Sequence, residues 1–258
     1  MFRTPDQDNL HKIIVLNTKG GCGKTTLATN VASFYALRGP PPTLLDYDPH
    51  GFSLRWLDKR PASRPAIHGI AAYELPDQAQ GRAHLNMQPD TRTVISDLPA
   101  NIDLNDLYVH IHAADSILIP VLPSEIDIFS ASRFIAELLL DVGLDRRNRR
   151  IAIVANRVRK NTRSCQVLMR FLTSLKIPMI AMLRDSQNYV QATAQGIGIF
   201  EMPVYKVRKD IGPMNAIVNW LDQWHMRRLD TAIAPGFEHL PGAEVLTPVQ
   251  QKDPVYRG

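Results

Sequence analysis

Lys12-Ile-Ile-Val-Leu16-Asn17-Thr18-Lys19-Gly20-Gly21-Cys22-Gly23-Lys24-Thr25-Thr26 is the stretch whose reading decides the fold. Lys12 to Leu16 is apolar after its first residue and does not alternate, which predicts a strand buried on both faces. It runs straight into a glycine-rich loop, and Thr25 to Leu37 then has helical spacing. Glycines let backbone N–H groups turn inward on a phosphate, and the helix N-terminus adds its partial positive charge. Lys24 is placed to reach the β and γ phosphates of a nucleotide, and Thr25 to ligate magnesium. Gly20, Gly21, Cys22, Gly23, Lys24, Thr25 and Thr26 are therefore the candidate phosphate-binding residues.

The loop departs from the general pattern G-x-x-x-x-G-K-[ST] in carrying Thr18 where glycine is expected, and it adds a second lysine, Lys19, at its start. With that lysine the loop resembles the deviant Walker A motif of the ParA/MinD family of ATPases. The resemblance implies that Lys19 crosses a dimer interface to the nucleotide of the other subunit, and hence an ATP-dependent sandwich homodimer using ATP and Mg2+. Thr43-Leu-Leu-Asp46-Tyr-Asp48-Pro49-His50-Gly51 resembles the family's second motif, with His50 where glutamine is usual. There Asp48 orients the attacking water and Asp46 helps organise the magnesium shell. Strand ends suit such carboxylates, because ligands of open α/β sheets sit at the C-terminal edge. Capping of the following helix is the competing role for both acids.

Thr93-Val-Ile-Ser-Asp97 matches the third element, an apolar strand ending in an acid that holds magnesium through water. Pro120-Val-Leu-Pro123-Ser124-Glu-Ile-Asp127 resembles the family's Pro-x-x-Pro-Ser-x-x-Asp segment, which leads into a dimer-facing helix. Ile151-Ala-Ile-Val-Ala-Asn156-Arg157 ends a strand where the family reads adenine, which makes Asn156 and Arg157 base-side candidates. Arg184-Asp-Ser-Gln-Asn-Tyr189 and Gly198-Ile-Phe-Glu201 are similar to the closing segment of small, ParF-like members. The likeness covers roughly residues 12 to 228.

Further apolar runs at Pro42–Leu45, Ser116–Val121 and Pro178–Ala181 alternate with helical spacing at Asp103–His112, Ile128–Leu140, Ser164–Leu175, Asn188–Gln195 and Asp210–Arg228. Strand and helix in turn predict an α/β fold, a doubly wound, mainly parallel sheet flanked by helices. Residues 1–228 form one P-loop domain in this reading. Residues 229–258, with Pro235-Gly236, Pro241-Gly242, Pro248 and Pro254, form a flexible tail. Lys59 to Pro89 has weak periodicity and no assigned structure.

The 258 residues are 45% hydrophobic and 21% charged, an ordinary globular composition. Two cysteines, Cys22 and Cys165, exclude a disulfide framework and fit a reducing compartment. Met1 to Leu10 carries acidic and amide residues where a signal peptide is apolar, and no apolar run of about 18 residues exists. The tail shows no amphipathic basic helix, so a membrane partner is not expected. The N-terminus also holds no helix-turn-helix domain before the first strand, which argues against operator binding.

Charge is unevenly placed. Residues 1–140 hold 12 Lys and Arg against 15 Asp and Glu, residues 141–185 hold 11 against 3, and residues 186–258 hold 7 against 7. The basic block, with Arg146, Arg147, Arg149 and Arg150 before a strand and Arg157, Arg159, Lys160 and Arg163 after it, suits sequence-independent phosphate contacts. No aromatic interleaving accompanies it, so base readout is unsupported. The family resemblance implies nonspecific DNA binding by the ATP dimer. Arg159, Lys160 and Arg163, joined by Lys206, Arg208 and Lys209, are the candidate surface; a merely solubilising face is the alternative. The function implied is a cytoplasmic, nucleoid-associated ATPase that positions or partitions a plasmid, chromosome or protein assembly, with a ParB-like or other adaptor that stimulates slow hydrolysis. A metabolic or electron-transfer enzyme of the same fold and a MinD-like spatial regulator are the other readings.

Overall fold

Seven strands and seven α-helices lie within residues 10–75, 87–140, 150–174 and 177–226, the part of the chain that the computed structural model describes. They are β1 (His11–Val15), α1 (Lys24–Ala36), β2 (Thr43–Asp46), α2 (Phe52–Asp58), β3 (His68–Ala71), β4 (Thr93–Asp97), α3 (Leu104–Ala113), β5 (Ser116–Val121), α4 (Glu125–Leu140), β6 (Ile151–Val158), α5 (Arg163–Ser174), β7 (Met179–Arg184), α6 (Gln187–Ala194) and α7 (Val204–Asp222). The strands form one sheet in the order β3-β2-β4-β1-β5-β6-β7, and every pairing is parallel.

Parallel strands need helical crossovers, and these cover both faces, which is why the strands read as continuous apolar runs. Every residue of β2, β4 and β5 is buried. Ile14, Leu45, Val94, Ile117 and Ile153 join one core with α3, α4 and α5. Their alternates Ile13, Val15, Leu44, Ile95, Leu118 and Val154 join a second core with α1 and α7. Phe134 on α4 is 2% exposed, and burying a ring of that size contributes about 2–3 kcal/mol.

Two elements lie where no regular structure was assigned from sequence: β3, a partly exposed edge strand, and α2, a helix of seven residues. The helix expected from Asp210 starts at Val204, directly after Pro203, and ends at Asp222. Its first turns are mostly exposed and polar, with Val207 alone buried before Asp210, so the apolar period begins late. Residues 229–258 and Arg146, Arg147 and Arg149 lie outside the described residues.

The order of the strands decides where a ligand can sit. The chain leaves central β1 for β2 on one side, returns to β4 beside β1, then builds β5 to β7 on the other. The crevice at such a switch point opens at the C-terminal ends of the strands.

Candidate nucleotide site

The C-terminal edge gathers the loop after β1, Asp46 ending β2 and Asp48 just beyond it, Asp97 ending β4, Asp127 after β5 and Asn156 near the end of β6. Asn17 braces the loop after β1: its Nδ2 donates to the Pro120 carbonyl at 2.7 Å, and its Oδ1 accepts from the Lys19 N–H at 3.1 Å. Gly23 caps α1 with φ +101°, a left-handed conformation that glycine adopts without steric cost. At Gly20 and Gly21 a Cβ would meet nothing within 4 Å, so the loop's outer side is open. Lys24 is buried and its Nζ lies 3.5 Å from the Lys19 carbonyl, across the loop. The Cys22 thiol is also buried, which raises its pKa, with Lys24 opposing.

Asp97 and Asp46 are register partners on adjacent parallel strands. Asp97 is 1% exposed, the Thr25 hydroxyl donates to its carboxylate, and its Oδ2 has no hydrogen-bond partner. Burial pushes its pKa up to about 7, the charges of Asp46 and Asp48 add to the rise, and Thr25 and Lys24 oppose it. An orphaned carboxylate oxygen beside a threonine hydroxyl and a lysine fits a Mg2+–nucleotide, since magnesium is typically held by one or two carboxylates, water and substrate phosphates. Among the described residues no group of three His, Cys, Asp or Glu side chains forms an all-protein cage.

Asp46 does cap the next helix. Its Oδ2 accepts from Ser53 and Leu54 N–H at 3.0 and 3.2 Å, and its Oδ1 from Asp48 N–H at 3.1 Å. It thereby shapes the turn that carries Asp48. Asp48 Oδ1 accepts from His50 twice, from the backbone N–H at 3.0 Å and from Nδ1 at 2.7 Å.

Lys19 has a 42% exposed side chain, and its Nζ lies 4.0 Å from Asp127 Oδ1, an oxygen with no hydrogen-bond partner. Ser124 donates through its hydroxyl to Asp127 and accepts from the Asp127 N–H, closing the first turn of α4. Sequence reasoning gave Asp127 no role, although the Pro-x-x-Pro-Ser-x-x-Asp segment pointed to it.

Asn156 points back at the phosphate loop: its Nδ2 donates to the Cys22 carbonyl at 2.7 Å. Beside it a cavity of about 560 Å³ is lined by Thr26, Asn156, Arg157, Arg184, Gln187 and Tyr189 among others. The Arg184–Gln187 loop is thus a wall that sequence reasoning did not assign to the site. Arg159, Lys160 and Arg163 are exposed, as are Lys206, Arg208 and Lys209 on the first turns of α7. Arg159 pairs with Asp185 at 2.8 Å, and Asn188 Nδ2 donates to the Lys206 carbonyl at 3.0 Å, so both basic segments flank one loop.

A parallel sheet with a phosphate loop leaving its central strand defines a P-loop nucleotide-binding protein. Residues 13–199 match the CobQ/CobB/MinD/ParA nucleotide binding domain, and the chain belongs to that family. Over 209 residues it is 27% identical to "Maintenance of carboxysome distribution protein A" of Halothiobacillus neapolitanus, across 80% of this chain and 94% of that protein. The structure of apo McdA from Cyanothece is similar with a TM-score of 0.62 at 17% identity, covering 81% of this chain and 99% of that one. MinD of Pyrococcus horikoshii complexed with Mg-ADP gives a TM-score of 0.56 at 14% identity, covering 89% and 99%. Both likenesses speak for the ParA/MinD fold.

Proposed function

We propose that the protein is a ParA-like ATPase that forms an ATP-dependent sandwich homodimer, binds nonspecific DNA in that state, and positions or partitions a cargo with an adaptor that stimulates hydrolysis. The observation that carries this reading is Lys19: a second lysine on the open rim of the phosphate loop, partly exposed and paired only at 4.0 Å with Asp127, in addition to the buried Lys24. Bound Mg2+–ATP supplies the scissile phosphoanhydride and a cation that neutralises charge on it. The residues of this chain do the rest. N–H groups of Gly20, Gly21, Cys22, Gly23, Lys24, Thr25 and Thr26 cradle the phosphates. Thr25 and Asp97 would hold magnesium, and the Asp46 carboxylate beside Asp97 would help organise its shell. Asp48 orients the attacking water, Lys24 and Lys19 stabilise the phosphoryl charge from the two subunits, and Asn156 and Arg157 stand at the base end.

Hydrolysis is slow without a partner, since the sequence carries no motif that marks an arginine finger and phosphoryl transfer depends strongly on such charge. The name of the Halothiobacillus relative favours a protein assembly as cargo, beside a plasmid or chromosome. The dimer acts in the cytoplasm on the nucleoid. Among the described residues no helix is long and apolar enough to cross a membrane.

The test is binding to random-sequence duplex DNA at one stated salt concentration, with ATP and Mg2+, with ADP, and in the Lys19→Ala variant. Binding with ATP alone, lost in the variant, is expected. Equal binding with ATP and ADP, or an unaffected variant, overturns the switch. Sedimentation with anionic vesicles separates the MinD-like alternative.

A further inference from the structure

We propose that His50 is a positioning residue for hydrolysis, whose imidazole holds the Asp48 carboxylate so that one of its oxygens is left to the attacking water. The inference rests on the nucleotide site proposed above and on the role of Asp48 there. His50 donates twice to the same atom: its backbone N–H lies 3.0 Å and its ring Nδ1 2.7 Å from Asp48 Oδ1. An ionised carboxylate only accepts, so Nδ1 carries a ring proton. Each carboxylate oxygen offers two lone pairs, and on Oδ1 both are taken. Oδ2 remains for the water.

The turn that carries Asp48 does not need the imidazole. Its backbone is closed by the Gly51 N–H, which donates to the Asp48 carbonyl at 2.8 Å, with Gly51 at φ +63°. Asp46 closes it from the other side by accepting from the N–H groups of Asp48, Ser53 and Leu54. The His50 side chain is 74% exposed, so it fills no place in either core. Its ring is nonetheless held from two directions. Nδ1 meets Asp48, and the ring face lies parallel to Phe52, with 3° between the planes and 5.5 Å between the centroids, the arrangement of an offset stack. The Arg55 guanidinium lies 5.9 Å from the centre of the same Phe52 ring.

The consequence lies in the last torsion of Asp48. That torsion is broad and roughly two-fold in an aspartate, so a single backbone donor leaves the carboxylate plane loosely set. A second donor on a ring of fixed plane narrows it. A water accepted by Oδ2 then has one direction of approach, which matters because misplacing a reacting group by about 1 Å can cost about a hundredfold in rate. His50 acts through Asp48 and touches neither water nor nucleotide.

The experiment measures, in the full chain with Mg2+, the dissociation constant of ATP and the single-turnover rate of its hydrolysis. The proteins are the unsubstituted chain, His50→Ala, His50→Asn and Asp48→Ala. Asparagine carries an N–H as far along the side chain as the imidazole Nδ1, and alanine carries none. Loss of one hydrogen bond to a charged group lowers the rate about tenfold in His50→Ala, while ATP affinity stays within about twofold. His50→Asn recovers the rate to within about threefold of the unsubstituted chain. An unchanged or faster rate in His50→Ala, or an asparagine variant as slow as the alanine one, overturns the proposal. A loss of ATP affinity as large as the loss of rate also overturns it, because the nucleotide site and not the carboxylate is then disturbed. NMR of the imidazole nitrogens in ligand-free protein at pH 8 gives a readout that a structural role would not fix. The Nδ1–H tautomer of His50 is expected, and the Nε2–H tautomer overturns the proposal. Asp48→Ala separates the two levels of the argument. If it hydrolyses ATP at the unsubstituted rate, the reading of Asp48 falls and that of His50 with it; if it is slow while His50→Ala is not, His50 alone loses its role.

Discussion

Arg60 and Glu201, 141 residues apart, meet in a two-pronged ion pair, Nη2 to Oε1 at 2.7 Å and Nη1 to Oε2 at 2.9 Å, with side chains only 5% and 0% exposed. Ser33 on α1 donates to the same carboxylate at 2.6 Å, and the Gly198 N–H at 2.8 Å. Arg60 follows α2, so the pair ties the phosphate-loop helix, the segment after Asp48 and the turn before α7 into one body. Gly196 keeps the approach open: at φ +65° its missing Cβ would lie 2.5 Å from Arg60 N. Removing one partner strands a buried charge, which costs about 3–5 kcal/mol. Glu201→Ala should therefore lower the melting temperature by about ten degrees, read by calorimetry.

The same carboxylate predicts a pH dependence. Burial alone would raise its pKa, but Arg60, Ser33 and the Gly198 N–H outweigh burial and hold it below its ordinary 4.5. The unfolded chain thus takes up the proton first as pH falls. The pair's stabilisation is complete above about 4.5 and is lost as pH drops through the lower folded value. Glu201→Gln should flatten urea stability against pH in that acid range, and an unchanged slope would count against the pair.

His110 on α3 acts in a higher window. Its ring lies edge to face with Tyr47, centroids 4.5 Å apart, and burial lowers its pKa from 6.5 to about 4. Below about 6.5 the unfolded chain gains a proton that the folded one refuses, so stability declines from there to about pH 4 and then levels. The ceiling is about 3 kcal/mol at 1.36 kcal/mol per unit. His110→Phe keeps a ring against Tyr47 and should remove this decline, measured as the difference between the two urea pH profiles.

Asp97 sets function against stability. It is buried next to Asp46, and its Oδ2 has no partner. Asp97→Asn relieves the like-charge contact. Ligand-free protein at pH 8 should become more stable, by about 1–2 kcal/mol, while Mg2+-dependent hydrolysis is lost. Chemical denaturation in EDTA beside a phosphate-release assay checks both halves. A variant that hydrolyses normally would remove Asp97 from the magnesium shell.

What could be read in the sequence was whatever is local. The phosphate loop, the Asp46–Asp48 turn and the acid ending β4 are contiguous, and five of the strands are fully or mostly buried and rich in Val, Ile and Leu. β3 was illegible because an edge strand of His-Gly-Ile-Ala is half exposed and carries too little apolar signal. α2 is too short, at seven residues, to show a helical period. The Asn156–Cys22 bond and the Arg60–Glu201 pair span 134 and 141 residues, so no window of sequence contains both partners. Lys19 was legible as an anomaly of the loop, whereas its neighbour Asp127 needed the sheet to bring β1 and β5 together.

The proposed DNA surface carries its own internal competitor. Arg159 donates to Asp185 through Nη2 at 2.8 Å and Nε at 3.2 Å, yet both side chains are well exposed, 76% and 43%. An exposed pair of this kind is worth about 0–1 kcal/mol, so a DNA phosphate can take the guanidinium at little cost. Asp185→Asn should accordingly raise ATP-dependent affinity for random duplex DNA about two- to fivefold at low salt, by freeing Arg159 and removing a like-charged neighbour of the phosphate. Neutralising Arg159, Lys160 and Arg163 together should weaken binding by more than tenfold and reduce the slope of log affinity against log salt by about one for each phosphate that is no longer neutralised. Nucleotide affinity, measured in parallel without DNA, should change little in the triple variant. An unchanged salt slope would move the DNA-binding surface to the other side of the 185–188 loop, where Lys206, Arg208 and Lys209 become the residues to neutralise next.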